Sequence, residues 1–148
     1  MLTENLATLF ERDLFKLKAE IEAYKDAEKI WVISDFISNS GGNLCLHLMG
    51  NLQHFIGNVL GKTGYIRNRP DEFSLKNVPL PEMVAAIEKV AVMVPVTIRS
   101  LTPGQLAAPY PEKVFEKEMT VEYFLLHLYA HLNYHLGQIN YHRRLLDK

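Results

Sequence analysis

The sequence holds a single cysteine, Cys45, in 148 residues. A lone thiol excludes an intrachain disulfide framework and a zinc site built on cysteines. It suits a reducing compartment, so the expected location is the cytoplasm. Charge of one sign is also scarce: 16 Lys+Arg stand against 17 Asp+Glu, a formal net charge of -1. Without a basic run, nucleic acid is not an expected partner, because counterion release has nothing to act through. No apolar stretch reaches the roughly 18 residues that a membrane span needs, so no membrane partner is expected either. Met1-Leu2-Thr3-Glu4-Asn5 lacks a basic segment leading into an apolar run, and no secretory signal is expected. What is present is an ordinary globular balance, 48% hydrophobic and 22% charged. That balance supports one domain over residues 1–148 with a core large enough to fold without staples.

Four segments carry helical periodicity. Leu6, Leu9, Phe10, Leu14, Leu17 and Ile21 fall on one stripe of the first. The expected helices lie near residues 3–29, 43–61, 81–100 and 120–146. Ile30-Trp31-Val32-Ile33 has the composition of a short strand. Ser38-Asn39-Ser40-Gly41-Gly42 is a turn cluster, and Gly61 and Gly64 supply a left-handed cap after the second helix. Pro81 and Glu82 mark a helix start, and Pro95 predicts a kink within that helix. Residues 62–79 and 102–119 read as loops, the second with room for a short hairpin around Val114 and Met119. Thr120 is the expected N-cap of the last helix. Four helices joined by two longer loops predict an all-α four-helix bundle.

All six histidines lie in two of these helices: His47 and His54 in the second, His127, His131, His135 and His142 in the fourth. Neutral imidazole is the commonest protein metal ligand. On a helical wheel His135 falls inside the apolar arc of the last helix, with His131 on its shoulder. Four residues apart, the two stack on one face and both reach one ion. His127 drifts further from the core, and His142 lies two turns below His135, too far to share the same ion. The segment His131-Leu132-Asn133-Tyr134-His135 lacks the glutamate that a metallopeptidase of the His-Glu-x-x-His type uses as base. Beside the apolar arc of the second helix runs a stripe of amides and imidazoles: Asn43, His47, Asn51, His54 and Asn58. Such a flank suits the lining of a polar cleft or the capping of neighbouring loops. His47 and His54 are about 10 Å apart along the axis, so only one joins the His131/His135 pair. Three histidines leave coordination positions open, as a catalytic metal requires. Asn51, His54 and Gln138 project close to these ligands and are candidates to orient them, and His127 is a weaker ligand candidate. Arg67 and Arg69 offer guanidinium forks for a substrate carboxylate. Cys45 lies in an apolar arc and reads as a small hydrophobe.

Ser40-Gly41-Gly42-Asn43-Leu44-Cys45-Leu46-His47-Leu48 resembles the second-helix motif of the DinB/YfiT-like superfamily. His131-Leu132-Asn133-Tyr134-His135-Leu136-Gly137-Gln138-Ile139 resembles its last-helix motif, His-x-x-x-His-x-Gly-Gln. The likeness extends to Arg67-Asn68-Arg69 and to Asn140-Tyr141-His142-Arg143-Arg144. It implies an up-down-down-up bundle and a divalent metal, zinc or nickel first among the choices, held by His47, His131 and His135. Characterised members include bacillithiol and mycothiol S-transferases and a mycothiol-dependent isomerase. The resemblance therefore implies an enzyme that activates a small-molecule thiol toward an electrophilic substrate. A metal-dependent hydrolase and a non-catalytic metal-binding bundle are the alternatives, because family membership alone does not set a reaction. Tyr129, Tyr134 and Tyr141 recur on the less buried side of the last helix and point to a homodimer.

Overall fold

The computed structural model describes all 148 residues. Its elements are α1 (Leu2–Glu22), a 3₁₀ turn (Ala27–Trp31), α2 (Gly41–Leu52), a π-helical stretch (Gln53–Asn58), α3 (Arg69–Ser74), α4 (Leu80–Ser100), α5 (Pro103–Ala107) and α6 (Val121–Leu146). Each long helix buries a stripe at three- and four-residue spacing. In α1 this is Leu6, Phe10, Leu14, Leu17 and Ile21; in α4, Met83, Ile87, Val90, Val94 and Ile98. Leu44, Leu48 and Leu52 of α2 are buried, as are Phe124, Leu128, Leu132 and Leu136 of α6. All of these belong to one continuous core. Each such side chain, fully buried, contributes about 1.5–3 kcal/mol.

Cross-helix contacts set the directions. Lys18–Glu88 at 2.7 Å and Arg99–Glu4 at 3.1 Å make α1 and α4 antiparallel. Tyr129 donates to Asp13 at 2.6 Å and Arg143 pairs with Glu20 at 2.8 Å, so α1 and α6 run parallel. Phe55, just past the end of α2, packs on Phe124, and Gly41 at the start of α2 lies beside His142, so α2 and α6 are antiparallel. The order is up-down-down-up, the expected bundle, with α2 and α6 side by side.

Caps follow the sequence closely at some ends. The Ser40 hydroxyl accepts from Asn43 N, and the Thr120 hydroxyl accepts from Tyr123 N, each satisfying an orphan donor. Thr102 and Gln105 form a reciprocal capping box that starts α5. Other boundaries differ from expectation. α1 stops at Glu22, well short of residue 29, because the Asp147 carboxylate accepts from Lys25 N and Asp26 N and turns the chain there. Ile30 and Trp31 belong to the 3₁₀ turn and not to a strand, since the Asp26 side chain accepts from Glu28 N and caps it. The hairpin expected around Val114 and Met119 is absent. A single bridge joins Pro109 to Thr120, and the chain before it is taken up by α5. α4 runs through the buried Pro95 to Ser100. No helix is long and apolar enough to cross a membrane.

Candidate metal centre

The site is built where α2 and α6 face each other. Both helices are regular over the relevant turns, so residues four apart share a face. His131 and His135 of α6 and His47 of α2 converge there. The Nε2 atoms of His47 and His131 are 3.1 Å apart, and so are those of His131 and His135. One ligand atom from each residue lies within 4.8 Å of the others. The rings stand nearly perpendicular to one another, with angles of 77–90°.

What lies behind each ring decides which nitrogen faces the centre. Glu72 of α3 accepts from His47 Nδ1 at 3.0 Å. Arg67 donates to both oxygens of Glu72 at 2.8 Å. Burial favours the protonated Glu72 carboxyl, but the hydrogen bonds from Arg67 and His47 outweigh it and hold the group below the usual carboxylate range. An ionised carboxylate only accepts, so His47 carries its hydrogen on Nδ1 and presents a lone pair at Nε2. Gln138 Oε1 does the same for His135 Nδ1 at 2.7 Å. His131 is held neutral: burial, then its His135 and His47 neighbours, push its pKa down to about 3. Two lone pairs therefore aim at His131 Nε2. A neutral His131 can donate one hydrogen to one of them, never to both. A divalent cation satisfies all three nitrogens together, so this donor set fits a metal ion.

Two buried side-chain atoms have no hydrogen-bond partner, Asn51 Oδ1 and His131 Nδ1. One is an acceptor. The other is the outward nitrogen of the central histidine. Asn51 stands one turn beyond His47 on the same helix.

With three histidines from the second and last long helices in this geometry, the match to known sequences is decisive. The sequence profile of the DinB superfamily matches residues 16–139. The chain belongs to the DinB superfamily. No curated protein matches it.

The remaining candidate residues of this DinB domain have other partners. His54 donates away from the trio, with Nε2 2.9 Å from Glu112. It sits in the π-helical stretch, whose wider turn breaks the regular wheel after Leu52. His127 packs against Phe115 and Phe124, with its ring centroid 6.5 Å from that of His131. Arg67 is committed to Glu72, and Arg69 lies over the Phe73 ring. His142 takes no part: Tyr24 Oη lies 2.7 Å from its Nδ1, and its Nε2 donates to the Val32 carbonyl at 2.8 Å. Asn43 and Asn58 do cap loops. Asn43 Nδ2 donates to the Glu72 and Leu75 carbonyls, and Asn58 Oδ1 accepts from Gly64 N. Cys45 is fully buried and its thiol is pushed up to about 12 by burial, so it is no nucleophile. Of the tyrosines, Tyr129 is engaged within the chain, whereas Tyr134 and Tyr141 are exposed.

Glu72 is the functional residue that the sequence does not announce. Its one signal is indirect. Gly50 lies on the His47 side of α2, and a Cβ there would collide with Glu72 Oε2. A glycine in mid-helix costs about 1 kcal/mol against alanine, and here it is what lets the carboxylate approach.

Proposed function

We propose that this protein is a metal-dependent thiol S-transferase. The convergence of three Nε2 atoms, two of them with the opposite nitrogen held by Glu72 or Gln138, carries the reading. Three imidazoles fill three positions and leave the rest to substrate. A divalent ion held by these three histidines, zinc or nickel, would supply Lewis acidity that lowers the pKa of a thiol. The chain's own part is to position and to keep dry. Glu72 and Arg67 fix the His47 ring, Gln138 fixes His135, and burial keeps His131 neutral and ready to coordinate. Phe73 closes one side of His47, with ring centroids 4.9 Å apart. The single thiol, buried and inert, is compatible with work in the cytoplasm beside a free low-molecular-weight thiol.

The test pairs elemental analysis of untagged protein with turnover. One divalent ion per chain, absent from His135→Ala, and consumption of an electrophile only when a thiol is added support the reading. Turnover of an ester or amide without thiol makes it a hydrolase. A metal-loaded protein without either activity is a non-catalytic bundle.

A further inference from the structure

Next to the histidine trio runs a cleft of about 720 Å³, between the turn at residues 34–39 and the last turns of α6. That volume lies in the range of small-molecule sites, about 300–1,000 Å³. His135 and Gln138 are among its lining residues, so the cleft borders the centre on the His135 side, while His47 and His131 do not line it. Phe36, Ile37, Tyr141 and Leu145 supply apolar lining. Its 14 lining residues include no Lys, Arg, Asp or Glu. Its second imidazole, His142, is already occupied at both nitrogens by Tyr24 and Val32. Ser34, Ser38, Asn39 and Gln138 offer neutral hydroxyls and amides, so a charged ligand would lose hydration here without gaining an ion pair. Charged side chains do line a second cleft, at the opposite end of α6, where Glu116, Lys117 and Glu118 sit.

The turn adds an independent observation. Phe36 has φ of 72° and its side chain is fully exposed. A bulky residue in the left-handed region is strained, and strain of this kind concentrates at ligand clamps. No contact within the chain rewards the placement of this ring at the cleft mouth.

We propose that the cleft binds the electrophilic substrate, an uncharged, largely apolar organic molecule, with its reacting end at His135 and Phe36 folding over its apolar body. The assignment of the occupant as electrophile rests on the transferase reading; the cleft's preference for an uncharged apolar molecule does not. In the transfer the thiolate sulfur forms a bond to the electrophilic carbon. The leaving group departs with the electron pair of the bond that breaks, and the thiol's proton goes to solvent.

The experiment titrates the full chain with N-phenyl-1-naphthylamine, an uncharged aromatic that fluoresces in apolar surroundings. Metal content and sedimentation are measured on the same samples. Wild type should bind one probe saturably. Leu145→Glu, at an exposed position on the cleft wall, should weaken binding at least tenfold. Val92→Glu, an equally exposed apolar position on α4, should leave it unchanged. Phe36→Gly should weaken binding while the melting temperature holds or rises, since glycine relieves the left-handed strain. A merely structural role for Phe36 would not separate the two readouts. Non-saturable binding, or equal loss in Val92→Glu and Leu145→Glu, overturns the proposal. So does a wild-type dimer that excludes the probe and that Leu145→Glu turns into monomers, which gives this face to a second copy. Probe binding without metal leaves the cleft and removes the transferase reading; metal without probe binding removes the cleft alone.

Discussion

The two halves of the bundle are built differently. Between α1 and α4 the interface is dry: Phe10, Leu14, Leu17, Ile87, Val90 and Val94 meet with no polar atom left wanting. Between α2 and α6 the helices carry His47, Asn51, His131 and His135 toward each other, and both unpartnered buried polar atoms of the molecule lie here. The difference separates labour. A buried polar group without a partner costs about 1–3 kcal/mol, so the α2–α6 half bears a cost in the metal-free chain that the α1–α4 half does not. The α1 face that turns toward α6 is a third type, with a buried carboxylate, Asp13, satisfied by Arg12, Lys16 and Tyr129.

The largest way to break this contrast is to remove a ligand. His135→Ala should abolish stoichiometric metal binding, read by elemental analysis, with the metal-free fold intact by circular dichroism. His142→Ala should keep the metal and instead lower stability, by about 2 kcal/mol in urea unfolding, because Tyr24 and Val32 lose their partner. If His142→Ala loses metal and His135→Ala keeps it, the trio is wrong. Next is Leu14→Ala in the dry half, expected to cost about 3 kcal/mol in urea unfolding without altering metal stoichiometry. Glu72→Gln weakens the hold on the His47 ring while keeping an acceptor. Metal affinity should drop about tenfold, measured by chelator competition, the lower end of the roughly 10–100-fold typical of such partners.

Acid distinguishes the halves by pH window. His131 has a folded pKa pushed down to about 3, so below the unfolded histidine value of about 6.5 the unfolded chain binds a proton that the folded chain refuses. Metal-free stability should therefore decline from about pH 6.5 downward, and His131→Leu should flatten that decline. Asp13 runs on a second window. Burial raises its carboxyl, but hydrogen bonds from Arg12, Tyr129 and Lys16 outweigh it and hold it far below the usual range. Its contribution is complete above about pH 4 and is lost as pH falls toward the folded value. Thermal melts at half-unit steps with a chelator present check both; a single break near pH 4 would remove the histidine contribution. The smallest effect is expected from Asn51→Leu. It removes an unpartnered acceptor and should stabilise the metal-free chain by about 1 kcal/mol.

The histidine trio was legible because α6 is one regular helix from its Thr120 cap onward and α2 stays regular to Leu52. A wheel works only while the period holds. It failed for His54, since nothing in Gln53–Asn58 announces a π-helical turn. Glu72 was illegible for another reason. It sits on a six-residue helix that Asn43 ties to α2 through the Glu72 and Leu75 carbonyls, so tertiary contacts and not local periodicity place it. The early end of α1 depends on Asp147, more than a hundred residues away. Exposure of Tyr134 against engagement of Tyr129 turns on Asp13, which the apolar stripe of α1 conceals.

The bonds from His142 to Tyr24 and Val32, and from Asp147 to Lys25 and Asp26, have a consequence for the order in which the chain is made. They fasten the connection between α1 and α2 with side chains translated after α1, α2 and α4. During synthesis α1 and α4 can already pair, while the α1–α2 connection and the wall of the cleft wait for the far end of α6. The nascent chain thus has its dry half before its histidine half. A ribosome-stalled chain ending before His142 should resist proteolysis across α1 and α4 and be cut between residues 23 and 40.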